Sequence, residues 1–178
     1  MVARLMGDDI HVVDDLLPSI EYRNKLKEEL PPLLVDGFKL AVFYNPQEVE
    51  NGSYHYPGLQ THATLHLHPS FKELTERATE EVKSFTGKDV ETVRMWGKWV
   101  DGKRKYLNYH NHYPCEYSFI YYLNIPRFMR NGTLFKGRGL IKGKENSLVI
   151  FPSKLDHSSP IYFWKTDRYV VAGDLVSG

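Results

Sequence analysis

Hydrophobic and polar positions follow two patterns along this chain, a helical one confined to the first half and an alternating one that fills the second. From Ser70 to Phe85 the apolar residues Phe71, Leu74, Ala78, Val82 and Phe85 recur at the spacing of one buried helical stripe. Ser70 and Glu73 have the spacing of a capping box, and Gly87 supplies a stop. A second helix is predicted after Pro18 and Ser19, with Tyr22, Leu26 and Leu30 on one face and Pro31-Pro32 ending it. The short β-branched or aromatic runs 40–44, 117–123, 147–151 and 169–175 read as strands. His62, His66 and His68, alternating with Ala63, Leu65 and Leu67, read as the polar face of a further strand. From Val93 onward, Asp101-Gly102, Asn131-Gly132, Gly137, Gly139, Gly143 and Asp167 punctuate the chain at hairpin-like spacing. The pattern predicts a mainly β, α+β protein in which the two helices of the N-terminal half pack on one sheet of a sandwich or barrel. No repeat or linker interrupts it, so residues 1–178 are expected to form a single domain, with N-terminal strands and support helices over 1–92 and a β core over 93–178.

Composition narrows the function more than the fold. The 178 residues carry 23 Lys+Arg against 22 Asp+Glu, a formal net charge of +1, and 42% are hydrophobic. That balance argues against a disordered chain or a dedicated polycation for nucleic acid. Cys115 is the single cysteine, which excludes an intrachain disulfide or a Cys-rich zinc module and favours a reducing compartment. Asp8 and Asp9 interrupt the N-terminus before a signal-peptide core could form, and no run approaches the ~20 apolar residues of a membrane span. A cytoplasmic protein is expected, its chemistry residing in a site.

The histidines supply the candidate site. In Asn108-Tyr109-His110-Asn111-His112, two imidazoles stand two residues apart in a segment leading into a strand, where a period of two puts both on one face. His157 follows the apolar strand 147–151 and the turn Pro152-Ser153. Three imidazoles from neighbouring strands can occupy one face of an octahedral metal and leave the others open, as non-haem iron requires. The alternative is that surface or core histidines fall this way without a ligand. Arg168 opens a strand on whose alternation Arg168, Val170, Ala172 and Asp174 share a face. A guanidinium beginning a mostly apolar face needs an anion, either a bound carboxylate or an internal acid such as Asp174 or Glu116. Trp96 and Trp99, with Tyr54 and Tyr56, either line an entrance or fill the core, and Trp99, Asp174 and Glu116 are candidate substrate contacts.

In order, the pieces His110-Asn111-His112, Ser118-Phe119-Ile120-Tyr121-Tyr122-Leu123-Asn124, Gly132-Thr133-Leu134-Phe135, Leu148-Val149-Ile150-Phe151-Pro152-Ser153, His157 and Arg168-Tyr169-Val170-Val171 resemble the Fe(II)/2-oxoglutarate-dependent oxygenases. The upstream Gly58-Leu59-Gln60-Thr61-His62 and the helix from Ser70 are similar to the N-terminal support region of the bacterial and phage branch with His-x-His-Pro-like motifs. The resemblance implies a double-stranded β-helix of jelly-roll or cupin-like form, with 93–178 as its metal-binding core. It implies Fe(II) on His110 and His157, with His112 where most members place Asp or Glu; either His112 completes a three-imidazole face, or only two histidines bind, or Glu116, Asp101 or Asp174 supplies a carboxylate from elsewhere. It also implies 2-oxoglutarate as cosubstrate, its C5 carboxylate on Arg168 with the Tyr122 hydroxyl near it; Asn108 and Ser118 are weaker polar candidates. The expected reaction is hydroxylation of a C–H bond with release of succinate and CO2. The primary substrate is a peptide, amino acid or other small molecule, nucleic acid being less expected, and no membrane partner is expected.

Two other readings compete. His110-x-His112-x-x-x-Glu116, with Pro152 to His157, is similar to the two motifs of a cupin, although Lys154 stands where that pattern has Gly. A cupin would give isomerase, thiol dioxygenase or simple binding activity without 2-oxoglutarate. Between Glu116 and Glu145 there is no acid, yet Arg127, Arg130, Lys136, Arg138, Lys142 and Lys144 appear with Phe128 and Phe135. That segment reads as a non-enzymatic nucleic-acid face or as a solvated basic rim beside an anion-binding mouth.

Overall fold

Strands form where alternate side chains meet two different surroundings. The computed structural model describes residues 9–37, 39–40, 46–50, 58–99, 109–126, 131–160 and 167–178. These contain strands β1 (His11–Val13), β2 (Val35–Asp36), β3 (Leu59–Gln60), β4 (Val90–Trp99), β5 (Tyr117–Asn124), β6 (Gly132–Phe135), β7 (Gly139–Lys142), β8 (Leu148–Pro152), β9 (His157–Ser158) and β10 (Tyr169–Ser177). The helices are α1 (Ile20–Leu33), α2 (Pro46–Glu50) and α3 (Lys72–Thr86). A larger antiparallel sheet has the order β1-β8-β5-β10-β4-β3-β2, and a smaller one β7-β6-β9. Two sheets with this crossed strand order form the double-stranded β-helix, a jelly roll. No helix of the described residues is long and apolar enough to cross a membrane.

The larger sheet is buried on both faces. Residues directly opposite across an antiparallel pair share a face, so Met95, Gly97, Phe119, Tyr121, Val171 and Gly173 turn one way. There they meet Leu26 and Leu30 of α1 and Leu74, Ala78 and Val82 of α3. The alternate residues Ile120, Tyr122, Val149, Phe151, Val170 and Ala172 turn toward Phe135 and Ile141 of the smaller sheet. Gly97 permits the close seating of α1, because a Cβ there would lie 2.2 Å from Leu30 Cδ1. The two layers make a helix-covered side and an inter-sheet side.

Strands β5, β8 and β10 and helix α1 follow the sequence pattern closely. Ser19 caps α1 by accepting from the Tyr22 amide at 3.1 Å. The helix then continues through Pro31 and Pro32 to Leu33, its last turn closed by Leu34 N–H on the Pro31 carbonyl, so the prolines sit inside its last turn instead of ending it. Gly87 stops α3 at φ 68°, as its missing Cβ allows.

The expected capping box does not form. Pro69 starts a 3-10 turn over Pro69–Phe71, His68 Nδ1 accepts from the Ser70 amide at 3.3 Å, and α3 begins at Lys72. The 62–68 histidine segment is likewise no regular strand: Leu65–Leu67 is a 3-10 turn, and only Thr64 bridges to Met95. Asn131-Gly132 leads into β6 instead of turning a hairpin, and the β6–β7 turn falls at Lys136 to Arg138. Of the strand predicted over 40–44, residues 41–44 lie outside the described residues.

Candidate metal centre and cation pocket

The His-x-His segment lies against the smaller sheet before the chain enters β5. His110 forms an antiparallel bridge with His157, amide to carbonyl in both directions at 3.1 and 2.8 Å. His112 N–H donates to the Ser153 carbonyl at 2.8 Å. The spacer Asn111 donates from Nδ2 to Asp156 Oδ1 at 2.9 Å, tying the loop to the residue before His157. These bonds gather three imidazoles, with ring centroids 5.3 Å apart for His110–His112, 4.5 Å for His110–His157 and 4.9 Å for His112–His157. One ring nitrogen of each lies within 4.8 Å of those of the other two. His110 is exposed at the mouth, while His112 and His157 are buried.

Hydrogen bonds at Nδ1 fix how the two buried rings present themselves. His157 Nδ1 contacts the Leu155 carbonyl at 3.0 Å, so it carries the proton and leaves Nε2 as a free donor atom. Burial, aided by the charges of His110 and His112, pushes the His157 pKa down to about 3, and the ring is neutral near pH 7. His112 Nδ1 lies 2.6 Å from Asp174 Oδ1. A carboxylate has no proton to give, so the imidazole donates and its Nε2 is again left free.

Asp174 is fully buried and also accepts from Ser118 Oγ at 2.6 Å and Arg94 Nε at 2.5 Å. Burial alone would raise its carboxyl pKa, but the hydrogen bond and charge of His112, the Ser118 hydroxyl and the Arg94 charge hold it below the usual value. The carboxylate thus sits one hydrogen bond behind the imidazole cluster, an arrangement that orients a metal-binding histidine and raises its basicity.

From the histidines a pocket open to solvent runs between the sheets to Arg168 and Lys98. Arg168 is 1% exposed. Its Nε donates to Asn131 Oδ1 at 2.8 Å and its Nη2 to the Gly132 carbonyl at 3.3 Å. The Tyr122 ring lies 5.9 Å from the guanidinium, and its hydroxyl is 2.6 Å from Thr133 Oγ1, which lines the pocket. Burial and the neighbouring Arg168 push the Lys98 pKa down to about 8. Trp96, Ile120, Val170 and Ala172 supply the apolar walls between the two ends, with Trp96 edge-on to His112 at 5.2 Å.

The structure therefore brings His110, His112, His157 and Arg168 to one pocket, with Tyr122 beside Arg168. Ser118 stands behind the cluster, bonded to Asp174 and, at 2.7 Å, to Ser153 Oγ. Asp174, expected to face substrate or metal, is enclosed behind His112. Glu116 points away from the pocket: it pairs with Lys88 at 2.8 Å and accepts from the Ser177 amide at 3.0 Å, so the fourth ligand of the cupin reading is absent from the histidine cluster. Trp99 lies on the strand face opposite Trp96 and Lys98 and is not part of the pocket wall. Asn108, Tyr54, Tyr56 and Asp101 lie outside the described residues.

Lys98 and Ser158 are pocket residues that sequence reasoning passed over. A lysine near a strand end reads as solvent-facing; the available signal was its two-residue spacing from Trp96. The basic segment also changes character in three dimensions. Lys136 pairs with Asp156 at 3.5 Å, Lys144 with Asp15 at 3.7 Å and Arg138 with Asp9. Acids from other segments partly neutralise this charge run, of which 127–130 lie outside the described residues.

The fold and site define a jelly-roll protein with a three-histidine cluster facing a buried guanidinium and a half-buried lysine. Solved structures share that fold at low identity. HygX from Streptomyces hygroscopicus, with nickel, 2-oxoglutarate and hygromycin B bound, aligns at TM-score 0.64 and 11% identity over 95% of this chain and 83% of its own. The viral collagen prolyl hydroxylase vCPH from Paramecium Bursaria Chlorella virus-1, in its 2-oxoglutarate complex, aligns at 0.61 and 14% over 97% and 98%. AviO1 from Streptomyces viridochromogenes Tue57 aligns at 0.67 and 11% over 98% and 92%. No protein-family model matches the chain, and no curated protein matches it in sequence. The chain has the double-stranded β-helix fold of the 2-oxoglutarate-dependent oxygenases.

Proposed function

We propose that this chain is an Fe(II)- and 2-oxoglutarate-dependent dioxygenase that hydroxylates a C–H bond of a small molecule or peptide. One observation carries the reading: a single pocket joins three imidazoles, two of them with Nε2 left free by hydrogen bonds at Nδ1, to a buried guanidinium at its far end. The donor set fits the metal, since neutral imidazoles suit iron and need lose no proton to bind it. His110, His112 and His157 would hold Fe(II), and Arg168 the C5 carboxylate of 2-oxoglutarate. When bound, iron supplies the oxidising chemistry that converts 2-oxoglutarate and O2 to succinate and CO2 as the substrate gains a hydroxyl.

The chain's own task is positioning. Asp174 holds the His112 ring through Nδ1, and the paired backbones of His110 and His157 fix those two rings relative to each other. The Phe151 ring, 4.8 Å from His157, and the apolar pocket wall shield the inner side of the centre from water. Exposed Tyr109 and Tyr113 flank the His-x-His segment at the mouth, where a primary substrate would arrive.

The test is anaerobic Fe(II) binding followed by 2-oxoglutarate titration, then succinate formation on admission of O2 with a panel of candidate substrates. One iron per chain, saturable 2-oxoglutarate binding and loss of both in His157→Ala are expected. A protein that binds metal but neither binds nor consumes 2-oxoglutarate would be read as a cupin-type metal protein instead.

A further inference from the structure

Arg168 alone would meet the anion that the proposed function requires, yet the pocket holds a second cation. Lys98 of β4 stands opposite Val170 of β10, and Val170 opposite Tyr122 of β5. The register turns all three toward the inter-sheet side, and Lys98 lines the pocket with Arg168. Among the described residues no carboxylate pairs with Lys98, and the charge acting on it is the like charge of Arg168. Ser158, 3% exposed, lines the same pocket with a hydroxyl that has no hydrogen-bond partner. A half-buried ammonium beside a like charge and a buried, uncommitted hydroxyl are costly to desolvate unless an anion joins them.

Position along the strand shows which anion. Trp96, in ring contact with His112, is two residues from Lys98, or about 6.6 Å along a strand. A five-carbon dicarboxylate extends about 5 Å between its terminal carbons. The end of such a molecule remote from the histidines therefore falls at the level of Lys98 and Arg168, whereas a primary substrate arrives at the exposed His110 mouth.

We propose that Lys98 is a second cosubstrate-binding cation, sharing with Arg168 the carboxylate of 2-oxoglutarate remote from the metal and selecting dicarboxylic over monocarboxylic 2-oxo acids. This rests on the oxygenase reading. A carboxylate with two oxygens can accept from both groups at once, and charge-assisted hydrogen bonds are the strong ones.

The experiment is calorimetric titration of the nickel-loaded protein with 2-oxoglutarate and with 2-oxovalerate, which lacks the second carboxylate. Lys98→Met keeps the side chain's length and removes the charge, and Lys98→Arg retains the charge. Lys98→Met is expected to weaken 2-oxoglutarate binding on the order of tenfold to a hundredfold and to leave 2-oxovalerate binding as in the wild type, which also reports an intact pocket. Lys98→Arg is expected to keep most of the affinity. Unchanged 2-oxoglutarate binding in Lys98→Met, or an equal loss for both ligands, would overturn the assignment while the oxygenase reading stands. Failure of the nickel-loaded wild type to bind 2-oxoglutarate would overturn both.

Discussion

The two faces of the larger sheet are built by the same strands and bury different chemistry. On the helix side, β5 and β10 present Phe119, Tyr121, Val171 and Leu175 to α1 and α3, an apolar layer with the hydroxyl of Tyr121 satisfied by Asn146 Oδ1 at 2.9 Å. On the inter-sheet side the alternate residues include Ser118, Tyr122 and Asp174, with Lys98 beside them on β4 and Arg168 just ahead of β10. Apolar burial stabilises the first face at roughly 25 cal/mol per Å². Desolvated polar groups burden the second, and it is tolerable because Asp174 collects three donors and Arg168 bonds Asn131 and Gly132. The difference sets a packing layer on one face and the proposed centre on the other, so substitutions on the two faces should separate in their effects.

The largest separation is expected at His157. His157→Ala should abolish stable metal binding, read as metal content after dialysis, while the thermal midpoint of the metal-free protein stays near wild type. Metal retained at wild-type stoichiometry would remove His157 from the centre. Phe119→Ala, on the helix side, should do the reverse. It should cost about 3–5 kcal/mol of stability in urea unfolding and leave the metal affinity of the folded fraction intact; a loss of metal binding in the folded fraction would break the division between faces.

Asp174→Asn should fall between them. Asparagine keeps an oxygen acceptor for His112 but removes the charge, and affinity for Ni(II) in chelator competition should drop about 10- to 100-fold. Wild-type affinity would mean that Asp174 serves packing alone. The smallest effect is expected at Glu116, outside both faces. Lys88 and the Ser177 amide hold its pKa down to about 2. A carboxylate depressed in the folded state stabilises above its ordinary value and loses that contribution as pH falls toward the folded value. Urea midpoints of wild type and Glu116→Gln should therefore differ slightly at pH 7 and converge between about pH 4.5 and 2. A difference that persists at pH 2 would show that Glu116 acts through packing.

Local periodicity carried much of the framework. The runs that became β5, β8 and β10 alternate or stay apolar over their full lengths, and α1 and α3 place buried residues on one helical stripe, because each pattern answers to contacts within a few residues. Where a tertiary or neighbouring group intervened, the reading slipped: Pro69 and His68 took over the start of α3 from the Ser70–Glu73 box, and a 3-10 turn replaced the strand expected at His62–His68. The histidine spacing identified the cluster, since two residues apart on an extended segment and a third after a neighbouring strand is a local signal. Asp174 was misplaced because alternation assigns a face, not a depth.

By itself, then, the sequence determined that the chain would be mainly β with two covering helices, and that His110, His112 and His157 share a surface with Arg168 near it. Tertiary structure decided the rest: that Asp174 stands behind an imidazole, that Lys98 points inward beside another cation, and that Glu116 leaves the site for Lys88. The physical reason is range. Side-chain direction along a strand repeats every two residues and is written locally, whereas burial and charge pairing depend on which strand lies alongside, and β4, β5 and β10 become neighbours only when the sheet closes over intervening segments of many residues.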